Sequence, residues 1–469
     1  MLKKLLIFLA IFVLAIPAIL YSFQYFSRAA AVKANIVVDV TNTGGAFPDR
    51  WKALAQGGEE AGVAMLHNVV PQVAALYPKY IRIDHIYDFY NVVSRESSGK
   101  LAFNFDRLDQ TVCDIYHAGA MPFFSLGYMP PAMSSDGTLV GKPTNWDEWS
   151  LLVQKTIERY SGKNTVLPCG ALGDYWKTGI YYEVWNEPDL ETFGKWYYSG
   201  NKNYEDLYYY SAKGATAATN VYPFKIGGPV TTALYKNWIQ QFLDFVSKNN
   251  LRIDFISWHH YSKRIDDFEQ DVINLNEWLS PPQFQKYQNL PKIISEWGFD
   301  SNVNSIADTN VGAAQTVAAI RNFLMTNIDA AFLFEIKDGK NPSWGILTND
   351  GQEKPRYHAL EMLNDLDGKE IFVSGEGTYV SALASINNNQ AVTLVLVNYD
   401  INGQNTEAVP VTFKNLSPGN YDITKTYLSG QSETTLNVAA PTGEIDMIGQ
   451  KSVIMTPNQV VSIELKKSQ

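Results

Sequence analysis

Cysteine is nearly absent: the 469 residues hold two, Cys113 and Cys169. There is no CxxC pair and no HExxH run, so neither paired-cysteine nor zinc-protease metal binding is written in the chain, and no metal site is expected. The two thiols allow one disulfide in an oxidising compartment, if the fold brings them together. Charge is sparse too, at 18% of residues, against 46% hydrophobic ones, which excludes a disordered chain and predicts a globular one. Positive charge is in deficit. The net charge of −10 argues against nucleic acid or an anionic membrane surface as a partner, and leaves uncharged polymers open. A chain of 469 residues is also too long for one compact core, which points to two domains beyond any leader.

A long apolar run starts at Leu5 and ends near Phe26, after Lys3 and Lys4. Roughly 20 apolar residues span a bilayer. Basic residues before the run predict a cytoplasmic N-terminus and an exported remainder. Ala29, Ala30 and Ala31 could serve a signal peptidase, so a membrane anchor facing outward and a cleaved signal both stay open for residues 1–33.

From residue 34 the text repeats strand, loop and helix. Strands are read at residues 36–40, 80–83, 121–126, 179–185, 225–227, 255–258, 292–295 and 330–334. Eight strand–helix units predict a (β/α)8 barrel over residues 34–367. Past Asp367 the apolar period falls to two and turn clusters intervene, which predicts an antiparallel β-sandwich over residues 368–469.

Two stretches carry the chemistry. In YYEVWNEPD, Tyr181 to Asp189, an apolar-aromatic strand breaks at Asn186-Glu187 and is stopped by Pro188. KIISEWGFD, Lys292 to Asp300, has the same shape with Glu296 at the strand end. In a parallel barrel those ends face the active site. Two carboxylates there are the minimum machinery for splitting a glycosidic bond: one protonates the leaving oxygen, the other attacks or activates water.

WNEP followed by SEWG resembles the retaining glycoside hydrolases of clan A, and the text from about Val37 to Leu366 is similar to glycoside hydrolase family 39 in particular. That family includes β-xylosidases, α-L-iduronidases and exopolysaccharide hydrolases. The resemblance implies a carbohydrate substrate, no cofactor, Glu187 as acid/base and Glu296 as nucleophile. It also implies that Asn186 meets the sugar 2-hydroxyl, Arg82 supports the nucleophile, and His259 and Tyr261 reach the site, Tyr261 as a donor to Glu296. Glu183 is read as a buried partner for Arg82. Asp84 and Trp297 are expected in the sugar pocket. Trp344 is a candidate stacking platform, and Lys337 either reads an acidic or highly oxygenated sugar or pairs with Glu335 or Asp338. The chain departs from the family's xylosidases at Asp84, where they have His, at Ser125, where Glu is usual, and around residues 330–347. Aromatics at 13% fit large cores and sugar-ring stacking alike. Other readings left open are a glycan-binding barrel without catalysis and a transglycosylase; the sandwich either stabilises the barrel or binds glycan.

Overall fold

A computed structural model describes residues 31–57, 63–171, 177, 179–326, 328–342 and 344–468. The expected leader, residues 1–33, lies outside these except for its last three positions. Among the described residues no helix is long and apolar enough to cross a membrane.

Eight parallel strands close a barrel: β1 (Ala53–Gln56), β2 (Tyr80–Ile83), β3 (Met121–Leu126), β4 (Ile180–Val184), β5 (Phe224–Thr231), β6 (Phe255–Tyr261), β7 (Lys292–Gly298) and β8 (Ala330–Phe334). The helices that follow them are α1 (Val70–Ala75), α2 (Asp106–His117), α3 (Trp146–Tyr160), α4 (Tyr204–Ala217), α5 (Lys236–Lys248), α6 (Ile265–Trp278), α7 (Asn310–Met325) and α8 (Pro355–Asn364). Several start on a residue suited to the task. Asn145, Asn203 and Thr309 each accept a backbone N–H of the first turn, and Pro355 opens α8. Inside the barrel, Ala53 and Ala55 leave room for Phe123, Phe255 and Phe332, so small and large side chains complement each other across the axis.

One strand differs from the expectation. Residues Ile36–Asp39 do not open the barrel; they pair in parallel with Val411–Lys414 of the C-terminal domain. Ile36 and Val38 sit in that domain's core. The barrel's first strand is instead Ala53–Gln56, whose residues are all buried.

The C-terminal region forms a three-stranded sheet, with Val411–Lys414 between Ile36–Asp39 and Ile445–Met447, and a larger seven-stranded sheet. In the larger sheet Val392, Leu394 and Leu396 join the sandwich core, while the alternate residues Val395 and Val397 join the core of the barrel. That second apolar face packs on α7, and Arg321 of α7 pairs with Glu376. The Tyr399 hydroxyl donates to the Lys263 carbonyl at 2.6 Å. The two domains therefore share buried surface. Cys113 of α2 and Cys169 are bonded to each other.

Candidate active site

Simple alternation along β4 would send residue 185 into the barrel with Tyr181 and Glu183. The backbone prevents this. Trp185 has φ +77 and Glu187 φ +45, both in the left-handed region that few non-glycine residues occupy. The Trp185 indole turns outward against Trp149 and Trp196. Ser125, on neighbouring β3, donates to the Trp185 carbonyl at 2.7 Å, and the Glu187 N–H donates to the Val230 carbonyl at 3.1 Å. With the turn fixed at both points, Asn186 and Glu187 face the cleft.

β7 uses a different device. Trp258 of β6 lies opposite Ile294, but the next residue, His259, lies opposite Glu296, so Ser295 is extra. This bulge resets the alternation. Ile293 and Glu296 point into the barrel, and Trp297 points out to Phe268 and Phe323 in the helix layer.

Arg82 on β2 joins the two halves. It is buried, and its Nε donates to Glu183 Oε2 at 2.9 Å, its Nη1 to Glu296 Oε2 at 3.2 Å and its Nη2 to Asn186 Oδ1 at 2.7 Å. Burial opposes the charge, but Glu183, Glu296 and Asp84 hold the guanidinium pKa above its ordinary value. Glu296 Oε1 accepts the Tyr261 hydroxyl at 2.6 Å. Burial and the Glu296 carboxylate push that phenol well above its usual range, so it stays a donor. His259 Nδ1 lies 2.9 Å from Glu187 Oε1 and 3.8 Å from Glu296 Oε2. Burial lowers the His259 pKa, but Glu296 and the hydrogen bond to Glu187 outweigh it, and the net direction is upward. Glu296 is pushed up by burial, pulled down by His259, raised by Glu187 and lowered again by Arg82 and the Tyr261 hydrogen bond; the net direction is upward. Single ligand atoms of Glu187, His259 and Glu296 all lie within 4.8 Å of one another. Asn186 is locked from its other side, its Nδ2 donating to the Tyr128 hydroxyl at 2.8 Å.

These groups open on a cleft of about 690 Å³ at the C-terminal ends of the strands. Asp84, His85 and Phe89 line it, as do Leu190, Phe193, Thr232 and Ala233, and Tyr261, Ser301, Phe334 and Trp344. Residues 34–429 match the family described as Glycosyl hydrolases family 39. The chain belongs to glycosyl hydrolase family 39. It is therefore a glycosidase, and its substrate is a carbohydrate. A beta-xylosidase of Caldicellulosiruptor saccharolyticus is 27% identical over 376 residues, which are 72% of this chain and 73% of the relative. A beta-xylosidase of Geobacillus stearothermophilus is 26% identical over 389 residues, again 72% and 73%. In fold the chain is similar to a GH39 enzyme from Xanthomonas axonopodis pv. citri, with TM-score 0.76, 21% identity, and 94% and 99% of the two chains covered.

Within this family 39 chain, Glu187, Glu296, Asn186, Arg82, Asp84, His259, Tyr261 and Trp344 converge on the cleft or its floor. Two residues expected there do not. Trp297 is carried outward by the bulge and fills space beneath α6 and α7. Lys337 is buried and donates to Asn68 Oδ1 at 3.0 Å instead of lining the cleft; Asp338 is paired with Lys354 at 2.7 Å. Trp344 stands at the rim, its Nε1 held by the Asp300 carbonyl at 2.9 Å. The motifs did not single out Phe89 or Phe193. Both sit in loops whose text lacks periodicity, and Phe89 reaches the cleft by stacking on His85 at 4.0 Å. Among the described residues one further group has ligand-like spacing, Glu353, His358 and Glu361, on and beside α8 away from the cleft. In the cleft itself His259 Nδ1 is already engaged by Glu187, and Glu296 by Arg82 and Tyr261, which accounts for the closeness of the three without an ion.

Proposed function

We propose that this chain is a retaining glycosidase that acts on β-xylosides or a closely similar uncharged glycoside by double displacement. The observation that carries the mechanism is the spacing of the two carboxylates, with oxygens within 4.8 Å. Retaining enzymes hold the pair ~5–5.5 Å apart, while inverting ones need ~6.5–9.5 Å to admit water between them. In the first step Glu296 forms a bond to the anomeric carbon as the bond to the leaving oxygen breaks, and that oxygen takes a proton from Glu187. In the second, Glu187 removes a proton from water, the water oxygen bonds the anomeric carbon, and Glu296 leaves as carboxylate. Arg82 and Tyr261 hold Glu296 in line and stabilise its charge in both free states. Asn186, fixed by Arg82 and Tyr128, presents its amide where a 2-hydroxyl is read.

The uncharged glycone is supported by the lining. Among the described lining residues there is no Lys or Arg, while Asp84, Glu187 and Glu296 are carboxyl groups. His85 is paired with Asp88 at 2.7 Å and His260 with Asp271 at 2.5 Å. A uronate carboxylate would meet like charge, with Arg82 at the floor already taken by Glu183, Glu296 and Asn186, which costs several kcal/mol at short range. The two xylosidase relatives favour xylose as the neutral sugar. The bonded cysteines favour export to an oxidising compartment.

The test is hydrolysis of an aryl β-D-xyloside followed by proton NMR from the first turnover. β-Xylose appearing first supports retention; α-xylose appearing first overturns it. Glu296→Gln should abolish turnover with an unchanged unfolding transition, and near-normal rates in that variant would remove Glu296 as nucleophile.

A further inference from the structure

The leaving group must depart on the side of the cleft from which Glu187 delivers its proton. That side is built by the loops after β4 and β5. Asp189, two residues past Glu187, accepts the Thr232 N–H at 2.9 Å and the Thr232 hydroxyl at 2.5 Å. The two loops are thereby stapled into one wall, and Leu190, Phe193, Thr232 and Ala233 present it to the cleft. The wall does not stop at the lined space. The Tyr235 hydroxyl lies 3.2 Å from Thr232 Oγ1, and Tyr235 is 40% exposed. Scattered exposed aromatics need no explanation on a protein surface. This one has its hydroxyl within hydrogen-bonding distance of Thr232, a residue that lines the cleft on the side of the acid/base.

We propose that Tyr235, on the Asp189–Thr232 staple, is the stacking platform of an aglycone subsite that takes the next sugar of an oligosaccharide on the leaving-group side. This rests on the reading of Glu187 as acid/base. A pyranose ring offers one apolar C–H face and a rim of hydroxyls. The tyrosine ring meets the face, and Asp189 and Thr232 lie beside the rim. The enzyme's preferred substrate is then a chain with at least one neutral sugar beyond the one cleaved off, and an aryl leaving group lacks the rim of hydroxyls that such a sugar presents to this wall.

The experiment compares kcat/KM on β-1,4-xylo-oligosaccharides of two, three and four units with kcat/KM on an aryl β-D-xyloside. For Tyr235→Ala the ratio of tetramer to aryl rates should fall about tenfold, the effect of one lost aromatic contact of about 1.4 kcal/mol. Tyr235→Phe, which keeps the ring, should restore the ratio to within about twofold. An unchanged ratio in Tyr235→Ala, or an equal fall on both substrates, overturns the subsite and leaves the catalytic assignment untouched. A wild-type protein inert to aryl xyloside and oligosaccharides alike overturns the function reading first, and the subsite with it.

Discussion

Tyr261→Phe separates the charge of the nucleophile from its position. The phenol donates to Glu296 Oε1 at 2.6 Å at the floor of the cleft, and this bond favours the ionised form of Glu296. A hydrogen bond to a charged group is worth ~1.5–3 kcal/mol. Removing it takes that energy from the carboxylate and not from the neutral acid. The folded-state pKa of Glu296 therefore rises, and the ionised fraction falls on the acid side. On the acid limb of the kcat/KM profile the rate should drop by about 10- to 150-fold, because each 1.36 kcal/mol is tenfold. Near the optimum the loss should be much smaller, because there the carboxylate is ionised in both proteins and Arg82 still holds its other oxygen. The assay is kcat/KM against pH on an aryl β-xyloside for both proteins, with thermal unfolding as a control for integrity. A uniform drop at every pH, with the limb unmoved, would refute the reasoning; Tyr261 would then place the sugar and not tune the carboxylate.

Other outcomes follow from the same structure. Trp344→Ala should raise KM about two- to tenfold with little loss of stability, while Trp297→Ala should cost ~3–5 kcal/mol in denaturant unfolding and leave KM of the folded fraction unchanged. Opening the Cys113–Cys169 bridge with paired serines frees a loop closed across 56 residues, and should lower the unfolding free energy by up to about 4 kcal/mol by chain entropy. Burial opposes the Asp300 carboxylate, but Lys263 at 2.6 Å and Asn304 bring its pKa down to about 2. Its stabilising effect is complete above the unfolded value of ~3.9 and is lost as pH falls toward the folded value. Urea midpoints across that window should therefore slope less steeply in Asp300→Asn; an identical slope would show that the pair adds nothing to the fold.

Much of the site was legible because its chemistry is carried by unlike neighbours. A carboxylate that ends an aromatic strand, beside Asn and before Pro, has few other uses, and Glu187 announces itself so; Glu296, between Ser295 and Trp297 at the end of a second apolar strand, completes the pair. Arg82 with Glu183 was legible for a related reason: an Arg at an inward strand position must find acids. Trp297 faces away from the cleft because of a bulge that strict alternation hides. Nothing in KIISEWG marks Ser295 as the extra residue, which only the pairing to β6 and β8 reveals. Residues 36–40 read as a barrel strand because IVVD alternates as any half-buried strand does. The true β1, ALAQ, has two alanines and no β-branched residue, and its burial comes from tertiary packing, not propensity. For Lys337 the charges next to it leave a sugar contact and a local ion pair equally open, and the residue that receives its Nζ, Asn68 in the short helical turn before α1, is far away in sequence.

The strand Ile36–Asp39 ties the start of the described chain to a sheet made near its end. The barrel is thus an insertion held at both ends by the sandwich, as a bead is held on a closed loop. During synthesis the first strand must wait, unpaired, until Val411–Lys414 has been made. A cut at residue 367 would therefore not release a clean barrel. It would strip the second sheet from α7 and leave an apolar β edge with no partner, a surface that recruits other chains.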